Sequence, residues 1–205
     1  MKVFLTSFAA NVMDKVVPLL LPKTPKDLPV LFIPTGANPY KSREWMEEDR
    51  DKLKELGFKV SSFDLKDKTE KEVRTLLDNT DIVFVSGGNT FYLLEKVRQS
   101  GFDKAVKDFI NKGKIYIGSS AGSVILGPNI EPMKYLDDPS KAPFLSDYSG
   151  MGLVDFVVLP HFDNKKYDEA YRKLIGEYRE SYKLKPLRDD QAIIIDKNGF
   201  LKTIE

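Results

Sequence analysis

The 205-residue chain contains no cysteine. That excludes disulfides, thiolate catalysis and sulfur-bound zinc, and it fits a protein of the reducing cytoplasm. Neither sign of charge is in real excess: 32 Lys and Arg against 31 Asp and Glu leave a formal net charge of +1. Such a balance gives no electrostatic reason to expect nucleic acid or an anionic membrane as partner. No apolar run reaches the roughly 20 residues that span a bilayer. The segment Met1–Phe8 lacks the architecture of a signal peptide and reads as a first strand. No internal repeat or low-complexity segment is present. Neither G-x-G-x-x-G nor G-K-[ST] accompanies the glycine-rich turns, so a nucleotide site is poorly supported. Nothing implies a metal or a cofactor. Histidine occurs once, at His161.

Hydrophobic residues make up 41% of the chain and charged residues 31%, the proportions of an ordinary globular protein. The length suits one domain, residues 1–205, with a sizeable core. The stretch that organises it is Ile115-Tyr116-Ile117-Gly118-Ser119-Ser120-Ala121-Gly122-Ser123. An apolar run ends in G-x-S-x-G, and Val124-Ile125-Leu126 can begin a helix. This is the pattern of a nucleophile elbow, a strand-to-helix turn that lifts one hydroxyl into solvent. Glycines suit it because the turn is tight and its surroundings leave no room for side chains. A Gly/Ser-rich turn after a strand is usually only a turn, so the pattern takes its meaning from context.

That context is an alternation of strands and helices. Strands are predicted at Lys2–Phe8, Pro29–Pro34, Phe58–Phe63, Asp81–Val85, Ile115–Gly118, Val154–Leu159, Gln191–Ile195 and Phe200–Ile204, the last two joined by a turn at Asp196–Gly199. Asn11–Leu21 is helical in spacing, with Pro18 arguing against a long clean helix. Helices are also predicted at Lys41–Leu56, at Thr69–Leu77 with a Thr69/Glu72 capping box, from Phe91, at Phe102–Asn111 and at Lys165–Tyr182. Pro22–Leu28 reads as a loop, and Gly127–Gly150 as a long loop over the site. The order implies a doubly wound α/β fold, with a mostly parallel sheet and helices on both faces. Ligands then bind at the carboxyl ends of the strands. Four turns of small or polar residues fall there: Thr35-Gly36-Ala37, Ser86-Gly87-Gly88-Asn89, Gly118-Ser119-Ser120 and Pro160-His161-Phe162.

A serine hydroxyl attacks only when a base takes its proton. Within one chain, an imidazole serving Ser120 must be His161. The imidazole in turn needs a carboxylate to fix its tautomer and stabilise its cation. Asp163, Asp137, Asp138, Asp189 and Asp190 are all candidates, and composition does not choose among them. The N–H of Ala121, directly after the serine, and that of Gly88 would form an oxyanion hole. Each element has a plainer counterpart: a lone histidine is more often a packed or surface residue, and Asp137-Asp138 reads equally as a solvated loop tip.

Gly118-Ser119-Ser120-Ala121-Gly122, Val85-Ser86-Gly87-Gly88-Asn89-Thr90 and Leu159-Pro160-His161-Phe162 together resemble, in order and spacing, peptidase family S51. That family includes aspartyl dipeptidase (peptidase E) and, more distantly, cyanophycinase. The resemblance covers nearly the whole chain. It implies a serine peptidase on a sheet like that of class I glutamine amidotransferases, with Ser120 as nucleophile, His161 as base, and Gly88 and Ala121 as oxyanion donors. It places Asp189 where aspartyl dipeptidases carry a glutamate, with Asp190 one step away as the alternative acid. The order Ser…His…Asp differs from that of α/β-hydrolases. Ser119 stands where aspartyl dipeptidases carry a tryptophan, so the pocket rim is expected to differ. Recognition of an N-terminal aspartate would need a cation, for which Arg43, Lys165, Lys166 and Arg172 are the candidates. The reading is a cytoplasmic hydrolase of dipeptides or short peptides, as a monomer or homodimer. Its rivals are a non-catalytic binding protein on the same fold and an amidase or acyltransferase using the same residues.

Overall fold

The structure, a computed structural model, describes residues 2–21, 25–196 and 201–204. Short apolar runs form the strands β1 (Lys2–Thr6) and β2 (Leu28–Ile33). The more polar β3 (Phe58–Ser62) follows, then the wholly buried β4 (Ile82–Val85) and β5 (Ile115–Ser119). Later in the chain come β6 (Val157–Leu159), β7 (Leu184–Pro186), β8 (Ala192–Ile195) and β9 (Leu201–Ile204). Seven strands make one sheet in the order β3-β2-β4-β5-β1-β8-β9. The first five are parallel; β8 runs antiparallel to β1 and β9 antiparallel to β8. Polar β3 is an edge strand, while the apolar strands lie inside, as a sheet covered on both faces requires.

Residue parity decides which face each side chain covers. Val3, Leu5, Leu31, Ile33, Val83, Val85 and Tyr116 point to one side. They share one core with α3 (Glu70–Asp78), α4 (Thr90–Gln99) and α5 (Phe102–Asn111), which extends to the buried face of α7 (Asp168–Tyr178). Phe4, Val30, Phe32, Ile82, Phe84, Ile115 and Ile117 point to the other side and meet α1 (Met13–Leu20) and α2 (Glu44–Glu55). Phe32 and Phe84 stack there with ring centroids 5.1 Å apart. The capping box at Thr69 and Glu72 is formed. Pro18 lies inside α1, which lasts only eight residues, because a proline withholds one N–H from the helical ladder.

Several expectations need correcting. The strand expected from Val154 begins only at Val157, and it pairs in parallel with β7 in a separate two-stranded sheet. The turn carrying His161 therefore leaves a strand outside the main sheet. β7 itself was not foreseen: Leu-Lys-Pro is too short and too polar to signal a strand. The charged helix after His161 is a 3-10 turn at Lys165–Tyr167 followed by α7, shorter than the predicted Lys165–Tyr182. The Gly127–Gly150 loop carries two 3-10 turns, Glu131–Tyr135 and Pro139–Lys141, with Pro132, Met133 and Ala142 buried. Of the loop at Pro22–Leu28 and the turn at Asp196–Gly199, residues 22–24 and 197–199 lie outside the described residues, as does Phe200.

Tyr116 ties the sheet to the turn that follows β5. Its ring is fully buried and its hydroxyl donates to the Gly122 carbonyl at 2.6 Å. Burial holds the phenol well above its usual range, so it stays a donor. Removing a buried donor leaves its acceptor unsatisfied at a cost of about 1–3 kcal/mol. Tyr116→Phe is expected to lower unfolding stability by that amount in urea titration; an unchanged midpoint would mean that another donor serves Gly122.

Candidate active site

The turn after β5 is held from three sides. Ser120 has φ +47° and ψ −112°, a region that a residue with a Cβ occupies only under constraint. Its N–H donates to the Thr6 carbonyl at 3.0 Å, extending the β1–β5 pairing by one bond. Ser123 Oγ accepts the Thr6 N–H at 3.0 Å and lies 2.8 Å from both the Thr6 and Gly118 carbonyls. On the β4 side there is no space at all: a Cβ on Gly122 would stand 2.1 Å from the Val85 carbonyl oxygen. The second glycine of the motif is thus required by close packing. Ala121–Val124 then form the short helix α6.

The turn after β4 lies alongside. Gly88 has φ +134°, and a Cβ there would overlap the Gly36 carbonyl at 2.1 Å. The next N–H, that of Asn89, donates to the same Gly36 oxygen at 2.8 Å. The turns after β2 and β4 are therefore locked together, and Gly88 lines the same cavity as Ser120. Ala121 is buried directly behind the serine; as the first residue of α6, it has no intrahelical acceptor for its N–H.

His161 reaches Ser120 from the smaller sheet. Its backbone also takes a positive φ, +58°. The turn is fastened by Phe162 N–H to Leu187 O (3.2 Å), Leu187 N–H to Leu159 O (2.9 Å), and the Tyr171 hydroxyl to Pro160 O. Ser120 Oγ lies 3.0 Å from His161 Nε2, and His161 Nδ1 lies 2.6 Å from Asp189 Oδ1. A carboxylate can only accept, so Nδ1 carries the proton and the Nε2 lone pair faces the serine. Burial would raise the Asp189 pKa, but hydrogen bonds from His161 and Ser7 outweigh it and the net shift is downward.

Of the five candidate acids, the structure brings only Asp189 to the imidazole. Asp190 faces Arg188, with Nε 3.1 Å from Oδ1. Asp163 accepts the Asp189 N–H at 3.2 Å, and Asp138 caps the turn at Ser140. Asp137 binds Thr90. Among the four candidate cations only Lys166 lines the cavity, and it is exposed. Arg43 is turned away, its guanidinium donating to the Tyr40 and Asn38 carbonyls at 3.1 and 3.2 Å. The cavity holds about 590 Å³. Much of its wall is aromatic or apolar, with Phe8, Tyr40, Trp45, Met133, Leu136 and Tyr167.

Two residues escaped the sequence reading. Ser7, fully buried, donates to Asp189 Oδ1 at 2.6 Å while its oxygen accepts the His161 N–H at 2.6 Å. It directly follows the end of β1, in a turn with no glycine or other signal to mark it. Asp49, on α2, is also buried; its Oδ1 accepts the Ala10 N–H at 2.8 Å, and its Oδ2 has no hydrogen bond within 3.5 Å among the described residues. Ser119, the residue before Ser120, lines the cavity but is 1% exposed, its hydroxyl accepting the Ala9 N–H at 3.2 Å.

With this arrangement in view, comparison with known proteins is decisive. The family model described as peptidase family S51 matches residues 3–203. The chain belongs to peptidase family S51. An uncharacterized peptidase of Pasteurella multocida is 34% identical over 195 residues, 95% of this chain and 93% of that protein. Peptidase E of Escherichia coli is 35% identical over 104 residues, covering 51% of this chain and 42% of the relative. A crystal structure of a candidate peptidase E protein from Listeria monocytogenes superposes with a TM-score of 0.92 at 33% identity, over 100% of this chain and 98% of that one. Among the described residues of this S51 chain, no cluster of three or more carboxylates and imidazoles could hold a metal ion, and no helix is long and apolar enough to cross a membrane.

Asp49 gives this S51 chain a pH signature. Burial is the main cause that raises its carboxyl from 3.8 to about 7; the Ser119 hydroxyl and the Ala10 N–H pull the other way. The folded state then keeps a proton that the unfolded chain has lost, so this group's contribution to stability falls as pH rises from about 4 to about 7. Asp49→Asn is expected to raise the Tm at pH 8 and to change it much less at pH 5. An equal shift at both pH values would mean that Asp49 does not titrate in this window.

Proposed function

We propose that this S51 peptidase is a serine-type enzyme that hydrolyses dipeptides or short peptides through an acyl-enzyme at Ser120. The observation that supports it is the continuous line from Ser120 Oγ to His161 Nε2 at 3.0 Å and from His161 Nδ1 to Asp189 at 2.6 Å. In the first step the Ser120 oxygen bonds to the scissile carbonyl carbon while its proton passes to Nε2. The carbonyl π electrons move to oxygen, and the N–H groups of Gly88 and Ala121 receive that charge. Collapse of the intermediate expels the amine, which takes its proton from His161. Water then repeats the sequence on the ester. Asp189 holds the imidazole in the required tautomer and stabilises its cation. Ser7 holds both partners of that pair and acts through them, as a positioning residue. The chain acts as one domain, in the cytoplasm, a location that its lack of cysteine suits.

A preference for an N-terminal aspartate would rest on Lys166, the lining cation. An exposed ion pair contributes only about 0.2–1 kcal/mol. Selectivity for Asp-Xaa over a neutral Xaa-Xaa dipeptide is accordingly expected to stay below about tenfold in kcat/KM, since tenfold requires about 1.4 kcal/mol.

The test is amino-acid release from a panel of dipeptides and tripeptides, with single variants beside the wild type. Ser120→Ala is expected to lower kcat by at least about 10³-fold. Asp189→Asn should cost about 10²–10⁴-fold, and Asp190→Asn less than about twofold. Hydrolysis that survives Ser120→Ala would sink the serine mechanism. No release by the wild type from any member would turn the reading toward an amidase or a binding protein. Ser7→Ala is expected to reduce kcat about tenfold with a smaller change in KM, because its hydroxyl is spent on the His161–Asp189 pair.

A further inference from the structure

Beneath the site lies a buried carboxylate that the mechanism does not use. Asp49 of α2 is 1% exposed. Its Oδ1 accepts the Ala10 N–H at 2.8 Å, and Ser119 Oγ accepts the N–H of the preceding residue, Ala9, at 3.2 Å. Two consecutive N–H groups of the 3-10 turn Ala9–Asn11 are thus held by an acid of α2 and by the residue next to Ser120. The Ser119 hydroxyl also favours the ionised form of Asp49, which ties the two holders to each other. Fixing one N–H needs only a neutral oxygen, and an asparagine would supply it. A carboxylate in that place costs stability, because burial opposes its charge and Oδ2 has no hydrogen bond within 3.5 Å among the described residues. Packing alone therefore does not account for the charge.

The segment that Asp49 holds reaches every member of the proposed triad. The Thr6 carbonyl accepts the Ser120 N–H at 3.0 Å. Ser7 donates to Asp189 and accepts the His161 N–H, each at 2.6 Å. Phe8 lines the cavity. Ala9 and Ala10 then close the run on Ser119 and Asp49. An ionised acceptor makes shorter hydrogen bonds than a neutral one, and stronger ones. We infer that Asp49 is a positioning residue for the proposed reaction: as a carboxylate it draws the turn after Ser7 and the residue before Ser120 onto one anchor, and so holds Ser7 and Ser120 at the distances that proton transfer to His161 requires. Asp49 touches none of the reacting atoms. The charges that act on it are few. Glu48, on the same helix, opposes its ionisation, and His161 favours it. Arg50 pairs with Glu47, Asp14 of α1 pairs with Lys52, and Lys59 of β3 is exposed. The Ala9–Asn11 turn and the end of β5 carry no titratable side chain.

This inference rests on Ser120 as the nucleophile, and its test needs no peptide. The probe is a fluorophosphonate: Ser120 Oγ bonds to phosphorus, fluoride leaves, and the serine proton passes to His161. At pH 8.5 the wild type is expected to be labelled about fivefold faster than Asp49→Asn, as the loss of a charge-assisted hydrogen bond allows. At pH 5.5, where Asp49 is protonated in the wild type as well, the two rates should agree within about 1.5-fold. Titration of His161 affects both proteins and cancels in the ratio. A structural role would give one ratio at both pH values, and activity would fall together with Tm; here the slower protein at pH 8.5 is the more stable one. A ratio that does not change with pH, or equal rates at pH 8.5, would overturn the proposal. Ser119→Ala, which removes the link and leaves Asp49 in place, should show the same narrowing of its deficit from pH 8.5 to pH 5.5, so the matter is decided even if Asp49→Asn does not fold. A wild type that is not labelled would overturn the proposal together with the serine mechanism. The expected ratios with no peptide released by the wild type would sink the peptidase reading and leave the role of Asp49 standing.

Discussion

The site depends on how closely the turn at Ser120 lies against the ends of β1 and β4. Gly122 touches the Val85 carbonyl, and Ser120 and Ser123 both bond to the backbone of Thr6. These contacts hold a residue with a Cβ at φ +47°. Such a conformation costs of order 1–3 kcal/mol and persists only where its surroundings over-determine it. The surroundings here are the ends of buried parallel strands, among the least deformable parts of an α/β fold. The serine is thus aimed by the sheet.

The same strand ends account for what the sequence made legible. β4 and β5 are short apolar runs closed by glycine-rich turns, and both the strands and the turns were readable from composition alone. The parity of their side chains, one face toward α3–α5 and the other toward α1 and α2, follows from the period of two. Asp189 was harder to read. Five aspartates could have served the histidine, and the resemblance pointed to this one by matching a longer acid. Local spacing cannot make that choice, because Asp189 meets His161 through a pairing of two three-residue strands, β6 and β7. Each is too short to announce itself.

Ser7 shows where such reading runs out. Nothing in Thr6-Ser7-Phe8 distinguishes that serine from any other at the end of a strand. Its importance comes from β1 lying between β5 and β8, a long-range arrangement. That placement puts Ser7 beside the histidine turn and under the Asp189 carboxylate at the same time. Asp49 is hidden for a similar reason. On its charged helix it reads as one more solvated acid, and only the packing of α2 under the Ala9–Asn11 turn buries it. Sequence patterns carry local geometry; these two residues owe their environment to which elements became neighbours.

Two carboxylates that line the cavity are held in opposite electrostatic situations. Asp189 receives hydrogen bonds from His161 and Ser7, enough to outweigh its burial and to keep it ionised. In the proposed reaction an ionised acid in that place would favour the imidazolium formed when Ser120 gives up its proton. Asp137 receives hydrogen bonds too, but burial prevails and its charge remains under-compensated. One acid is thus satisfied within the protein, as the proposed proton transfer would require. The other spends its hydrogen bonds on Thr90 and Tyr40 and fastens the long loop to the start of α4.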